Sequence, residues 1–280
     1  MNNYLETFIL QALNEDIGNG DYTSLACIKT DKNSKAQLIA KENGILSGIE
    51  IGLKVFELVD KNLQVKLLIT SGEKLKKGDI VLHVSGSAQS ILKAERLVLN
   101  IIQRMSGIAT FTHQMNELIA HTSCKLLDTR KTTPGFRYFE KLAVLQGGGV
   151  NHRFGLFDMI MIKDNHIDFA GGIEQALKSV VAYQKENNLN LQVEIETRNI
   201  DEVNQVLKSG IKVQRIMLDN YSTAQLKEAV VLINGVCETE ASGGIDENTI
   251  KAYAETGVNF ISMGALTHSY KSLDLSLKAI

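Results

Sequence analysis

The feature that most constrains this chain is a change of pattern near residue 120. Beyond it, short apolar runs alternate with amphipathic stretches. KLLD (125–128), MIMIK (159–163), LQVEIE (191–196), VQRIMLD (213–219), VCETEAS (236–242) and FISMG (260–264) read as strands. Residues 173–185, 200–209, 223–233 and 246–256 carry helical spacing. Strand–helix alternation of this kind means parallel βα units. The strand ends Lys163, Glu196, Asp219, Ser242 and Gly264 are separated by 33, 23, 23 and 22 residues. A step repeated at that length suits a (β/α) barrel. A doubly wound open sheet would carry a glycine-rich fingerprint in its first turn, and none stands in that place.

The first part of the chain reads differently. Residues 4–14 form a short amphipathic pattern, and Asp16 to Ser24 is loop chemistry. Between 36 and 85, apolar runs such as AQLIA, VKLLI and IVLHV alternate with turn signals, which predicts an antiparallel strand region. Residues 87–120 have a helical period, with a break expected at Ser106-Gly107. The expected organisation is an N-terminal domain over 1–107 and a barrel over 108–266. The tail 267–280 is expected to pack back on the first domain. The fold class is α/β: an N-terminal α/β sandwich domain plus an incomplete, seven-stranded α/β barrel.

Charge narrows the function. Between Cys124 and Lys163 there are seven bases and three acids, a net +4, so the rest of a chain totalling −2 carries −6. A cationic field inside an acidic protein suits a small anion, although a solvated basic face would look the same by charge alone. The overall balance gives no support to nucleic-acid binding. No uncharged apolar run reaches the roughly 18 residues of a membrane span, and the start lacks secretory-leader character. Three widely spaced cysteines form no metal pattern and suggest the reducing cytoplasm.

Catalytic groups in parallel α/β folds gather at the carboxyl ends of strands. This chain places Arg130-Lys131, Lys163, Glu196, Asp219 and Ser242 there. A core strand has no stability reason to end in a charge, and five in register favour function over loop accident. In Val193-Glu194-Ile195-Glu196, alternation puts both glutamates on one face, inward in a barrel. Glu196 and Asp219 could hold Mg²⁺ or sugar hydroxyls, or act as general acid and base. Ser242-Gly243-Gly244 and Gly264-Ala265 would let backbone approach a phosphate. The flexible run Gly147-Gly148-Gly149 could bring His152 and Arg153 over the barrel mouth. His83, His113, His121 and His268 stand in no such setting.

Longer strings are more specific. They are EDIGNGDYTS (15–24), ERLVLNIIQRMSGIA (95–109), DTRKTTPG (128–135), GGGVNHR (147–153), IKDNH (162–166), VEIE (193–196), MLDN (217–220), EASGGI (240–245) and ISMGALT (261–267). Nearly end to end, the chain resembles the quinolinate phosphoribosyltransferases, the carboxylating nicotinate-nucleotide pyrophosphorylases. Leu142 stands where that family often has Tyr, and Ser24 where Thr is common. The resemblance implies that quinolinate and 5-phosphoribosyl-1-pyrophosphate are joined with Mg²⁺, giving nicotinate mononucleotide, CO₂ and pyrophosphate for NAD biosynthesis. It implies a homodimer in which Arg96 reaches the other chain's site. It assigns Thr129, Arg130, Lys131, His152, Arg153 and Lys163 to the substrate anions, with Glu196 and Asp219 to ribose and metal. Ser242, Gly243, Gly244, Gly264, Ala265 and Leu266 would hold the 5′-phosphate. Lys131, Lys163, Glu196 and Asp219 are the expected catalytic groups. Two rivals remain: a barrel phosphosugar lyase or isomerase using Lys163 as a Schiff-base amine, and a non-catalytic relative from the molybdenum-transport branch.

Overall fold

Twelve strands and eleven helices make up residues 2–280, the part that the computed structural model describes. In chain order they begin with α1 (Asn2–Ile17), α2 (Tyr22–Cys27), β1 (Asn33–Ala40), β2 (Gly44–Ile45), α3 (Ile49–Val59), β3 (Gln64–Leu67), β4 (Lys74–Leu75) and β5 (Ile80–Ser87). Then come α4 (Ala88–Ile119), β6 (Lys125–Leu127), α5 (Arg137–Gln146), β7 (Ile160–Ile162), α6 (Asp164–Ala170), α7 (Ile173–Glu186), β8 (Val193–Thr197) and α8 (Ile200–Lys208). The chain ends with β9 (Arg215–Asp219), α9 (Thr223–Ile233), β10 (Glu238–Ser242), α10 (Ile250–Ala254), β11 (Phe260–Ser262), α11 (Ala265–His268) and β12 (Leu275–Ala279).

They form two units. One contains Met1–His113, Tyr138–Gly148 and Tyr270–Ile280; the other contains Gln114–Arg137 and Gly149–Ser269. The sequence division at residue 107 leaves 138–148 with the barrel, whereas here that segment belongs with the first unit. The first unit holds an antiparallel sheet in the order β12-β1-β5-β3. The C-terminal strand pairs with β1, Leu38 opposite Leu277.

Two expectations for the first unit need correction. Residues 49–59 form a helix inside the region read as strands. Its β-branched residues favour a strand locally, but Ile49, Gly52, Val55 and Phe56 recur at helical spacing and are buried together. Helix α4 also runs unbroken through Ser106-Gly107. The glycine serves packing instead. A Cβ at Gly107 would overlap the Lys271 carbonyl oxygen and come 2.9 Å from Ser272 Cα.

The second unit holds a parallel sheet in the order β6-β11-β10-β9-β8-β7. Val150 adds a one-residue parallel bridge to β6 at Leu127. Around the sheet this is cyclic sequence order, with one seam between Val150 and β7, so the barrel is incomplete. Six strands are formed rather than seven, because the seventh position is only the bridge at Val150. All five residues of β8 are buried, as expected of strands covered on both faces. Two of the helices start at side-chain caps: Asn199 accepts from the Glu202 amide at 3.0 Å, and Ser222 with Gln225 forms a capping box. The first and last strand ends thus deliver their loops to one rim.

Candidate active site

A cavity of about 810 Å³ opens at the carboxyl ends of the barrel strands. Thr129, Arg130, Lys131, His152, Arg153, Lys163, Glu196, Asp219, Ser242, Gly243, Gly244, Gly264 and Ala265 all line it. Residues from seven separate segments therefore converge. Two of the expected residues do not join them. Leu266 is fully buried, and its amide donates to the Met263 carbonyl at 3.4 Å; its side chain is core, not site. Arg96 is exposed on α4 in the first unit.

The loop after β6 is held by its backbone, which frees its cationic side chains. Lys131 donates its amide to Thr129 Oγ1 at 3.0 Å, and Thr267 Oγ1 donates to the Lys131 carbonyl at 2.8 Å. Arg137 donates to Thr132 Oγ1 at 2.9 Å and to the Arg130 carbonyl at 3.3 Å. Arg130 and Lys131 can then present their charges to the cavity. Arg153 donates to the Met159 carbonyl at 3.2 Å, next to the seam. Partial burial, and next the charge of Arg130, draw its proton affinity below the ordinary arginine value. The exposed Arg130 and the half-buried Arg153 thus repel each other in the cavity wall, an arrangement that an anion would relieve.

Lys163 caps α6, and its Nζ lies 3.1 Å from Glu196 Oε2. His166 secures this cap by accepting from the Lys163 amide at 2.9 Å. Asp219 ends β9 and pairs in register with Ser242. The Asn220 amide nitrogen Nδ2 donates to Asp219 Oδ2 at 2.5 Å. Gly243 has φ +102°, and a Cβ there would overlap Asn220 Oδ1. Only glycine lets the chain turn here with its backbone forming the cavity wall.

Magnesium prefers oxygen ligands and keeps several waters, so one or two protein carboxylates suffice beside substrate phosphates. Glu196 and Asp219, at the ends of the adjacent strands β8 and β9, both line the cavity and offer carboxylate oxygens of that kind, with the Lys163 ammonium already 3.1 Å from Glu196. A second group, His152, Glu194 and Glu240, offers three buried ligand atoms within 4.8 Å of one another. There the Arg215 guanidinium, 2.8 Å from Glu240, already occupies the place of a cation.

His152 departs from its expected place over the mouth. It is buried, with Nε2 3.2 Å from Glu194 and 3.5 Å from Glu240. Its amide donates to the wholly buried Asp128 at 2.8 Å, which turns the loop inward. Sequence reasoning also missed Glu240, Asn220 and His268, all of which line the cavity. Glu240 was legible, since alternation in Glu238-Thr239-Glu240-Ala241-Ser242 puts it on the face of Ser242. His268 had no local signal, because it stands at the end of the short helix α11, which the fold places at the rim. Burial pushes the Glu194 carboxyl up to about 7, against the pull of Arg215. Burial, and then the charge of Glu194, push Glu240 up to about 7 as well.

An incomplete parallel barrel whose strand ends join four cations to paired carboxylates defines an anion-handling enzyme of the phosphate-binding barrel class. The chain belongs to the quinolinate phosphoribosyl transferase family. The C-terminal domain of that family matches residues 108–278, and the N-terminal domain matches 21–106. A curated relative from Nicotiana tabacum, "Quinolinate phosphoribosyltransferase [decarboxylating] 2b, mitochondrial", is 50% identical over 95% of this chain and 80% of its own length. A Bacillus subtilis relative, "Probable nicotinate-nucleotide pyrophosphorylase [carboxylating]", is 45% identical over 94% of this chain and 89% of its own. The solved nicotinate-nucleotide pyrophosphorylase of Francisella tularensis superposes with a TM-score of 0.94 at 42% identity, covering 100% of this chain and 97% of that one.

Proposed function

We propose that this protein joins quinolinate to 5-phosphoribosyl-1-pyrophosphate and releases CO₂ and pyrophosphate, forming nicotinate mononucleotide for de novo NAD biosynthesis. The observation that carries this is the convergence of Arg130, Lys131, Arg153 and Lys163 with Glu196 and Asp219 in one cavity. Both substrates are polyanions. A guanidinium about 4 Å from a carboxylate interacts at roughly 4 kcal/mol for an effective dielectric of 20. Several such cations offset the mutual repulsion of the substrates and fix the ring for attack. Arginine suits the task because its fork grips a carboxylate through two bonds.

The ring nitrogen attacks the anomeric carbon, and the bond to pyrophosphate breaks with its electron pair leaving on oxygen. Positive charge develops on the ribose, where Glu196 and Asp219 stabilise it. The backbone at Gly243, Gly244 and Gly264 receives the 5′-phosphate. Glu196 and Asp219 would also hold Mg²⁺, which supplies charge neutralisation for the pyrophosphate. The pyridinium then accepts the electrons released as the adjacent carboxylate departs as CO₂, and a proton completes the ring carbon. Lys131 and Lys163 assist the leaving group and this proton. No further organic cofactor is required.

The working unit is a homodimer with Arg96 completing the partner's site. A reducing compartment such as the cytoplasm suits the three free cysteines Cys27, Cys124 and Cys237. Among the described residues no helix is long and apolar enough to cross a membrane. The lyase alternative is disfavoured because Lys163 stands half-exposed in an ion pair with Glu196. It lacks the apolar surroundings that a neutral, nucleophilic amine needs. The deciding assay is pyrophosphate release from the phosphoribosyl donor with quinolinate, run beside nicotinate, which lacks the second carboxylate. Turnover with quinolinate alone is expected; equal or better turnover with nicotinate would overturn the substrate assignment.

A further inference from the structure

At the floor of the cavity, which His152 and Glu240 help to line, lies a polar column that the reaction scheme leaves unused. Arg215, at the start of β9, has its Nη1 2.8 Å from Glu240 and 3.7 Å from Glu194, and its Nη2 3.2 Å from Glu238. Its guanidinium lies over the Phe260 ring, 4.1 Å from the centroid. Three carboxyls and an aromatic face leave this cation no freedom. Glu194 and Glu240 in turn face His152 Nε2.

The other ring nitrogen decides the tautomer. His152 Nδ1 accepts from the Arg153 amide at 2.6 Å. An amide only donates, so Nδ1 carries no proton, and the neutral ring has its proton on Nε2, towards the two carboxyls. Nδ1 is thus bonded by protein, and Nε2 faces Glu194 and Glu240 at ion-pair distance. The ring holds the main chain of Arg153, whose guanidinium is half-buried in the cavity wall.

We propose that Arg215 and Glu240 are positioning residues for the substrate site: they fix the His152 ring, and the ring fixes Arg153. The column resembles the outer partners of a metal-bound histidine, which orient a ligand without touching what it binds. Here the object being aimed is a guanidinium. The inference rests on Arg153 gripping a quinolinate carboxylate.

The test compares Glu240→Gln, which keeps polar atoms facing His152 Nε2 and the Arg215 guanidinium, with Glu240→Leu, which fills similar volume without them. Glu240→Leu is expected to raise the quinolinate KM about tenfold or more while the KM of the phosphoribosyl donor and kcat stay within about threefold. Glu240→Gln should recover most of the loss. An equal rise in both KM values, or an unchanged quinolinate KM, would overturn the proposal. Should the leucine variant fail to fold, the ¹⁵N spectrum of selectively labelled wild-type protein still decides. A protonated Nε2 and bare Nδ1 at His152 are expected, and the opposite tautomer ends the case. Arg153→Ala separates the two layers. If it leaves the quinolinate KM unchanged, the assignment of Arg153 fails, whatever the tautomer.

Discussion

Glu240 is completely buried in the barrel, and burial, then the charge of Glu194, push its carboxyl up from 4.5 to about 7. Because the folded-state value is raised, the folded protein binds this proton more tightly than the unfolded chain. The stability it contributes is fully present below about 4.5 and is lost as pH rises through about 7. Glu240→Gln removes that dependence. Relative to wild type, the variant should gain stability as pH rises across this window, by at most about 1.4 kcal/mol per pH unit for one proton. Thermal unfolding of both proteins as a function of pH measures this; parallel curves would contradict the buried-carboxyl account. In the cavity wall, Arg130 and Arg153 repel each other. Arg130→Ala and Arg153→Ala should each weaken quinolinate binding by more than about tenfold while folding normally. Unchanged titration calorimetry for both variants would remove them from the site.

Among the elements, α4 gives the clearest case of a local signal with a distant cause. Glycine inside a helix costs about 1 kcal/mol relative to alanine, so Gly107→Ala should stabilise an isolated helix. In this fold the added methyl would strike the backbone at Lys271 and Ser272. Overpacking against backbone costs about 1–3 kcal/mol, so the variant should be less stable than wild type in urea unfolding. A gain in stability would show that the C-terminal segment does not approach α4 as described. The same reasoning explains α3, where burial of one apolar stripe overrides the strand preference of its β-branched residues. In the barrel, by contrast, local pattern and fold agree. β8, β9 and β10 were legible to within two residues, since each is a short, largely buried segment ending in a polar residue between helical stretches.

For the whole molecule, the open question of assembly becomes a complementation experiment. Arg96 is exposed and lies outside the residues that line its own chain's cavity. Chains carrying Arg96→Ala, mixed with chains carrying Arg153→Ala, should recover roughly a quarter of wild-type activity. Half of randomly assorted dimers are hybrid, and one of their two sites is whole. No recovery would mean that each chain builds its site alone.

The amino-acid sequence by itself determined the parallel barrel, the rim at which its polar strand ends gather, and most of the side chains that line the cavity there. Apolar periodicity and polar strand ends are local properties, and a strand's carboxyl end meets the others wherever βα units close into a barrel. Only the tertiary structure decided where His152 points, that Arg215 lies buried among three glutamates, and that His268 reaches the cavity. Those outcomes depend on neighbours brought together by closure of the sheet, and a buried charge is tolerated only where such neighbours balance it.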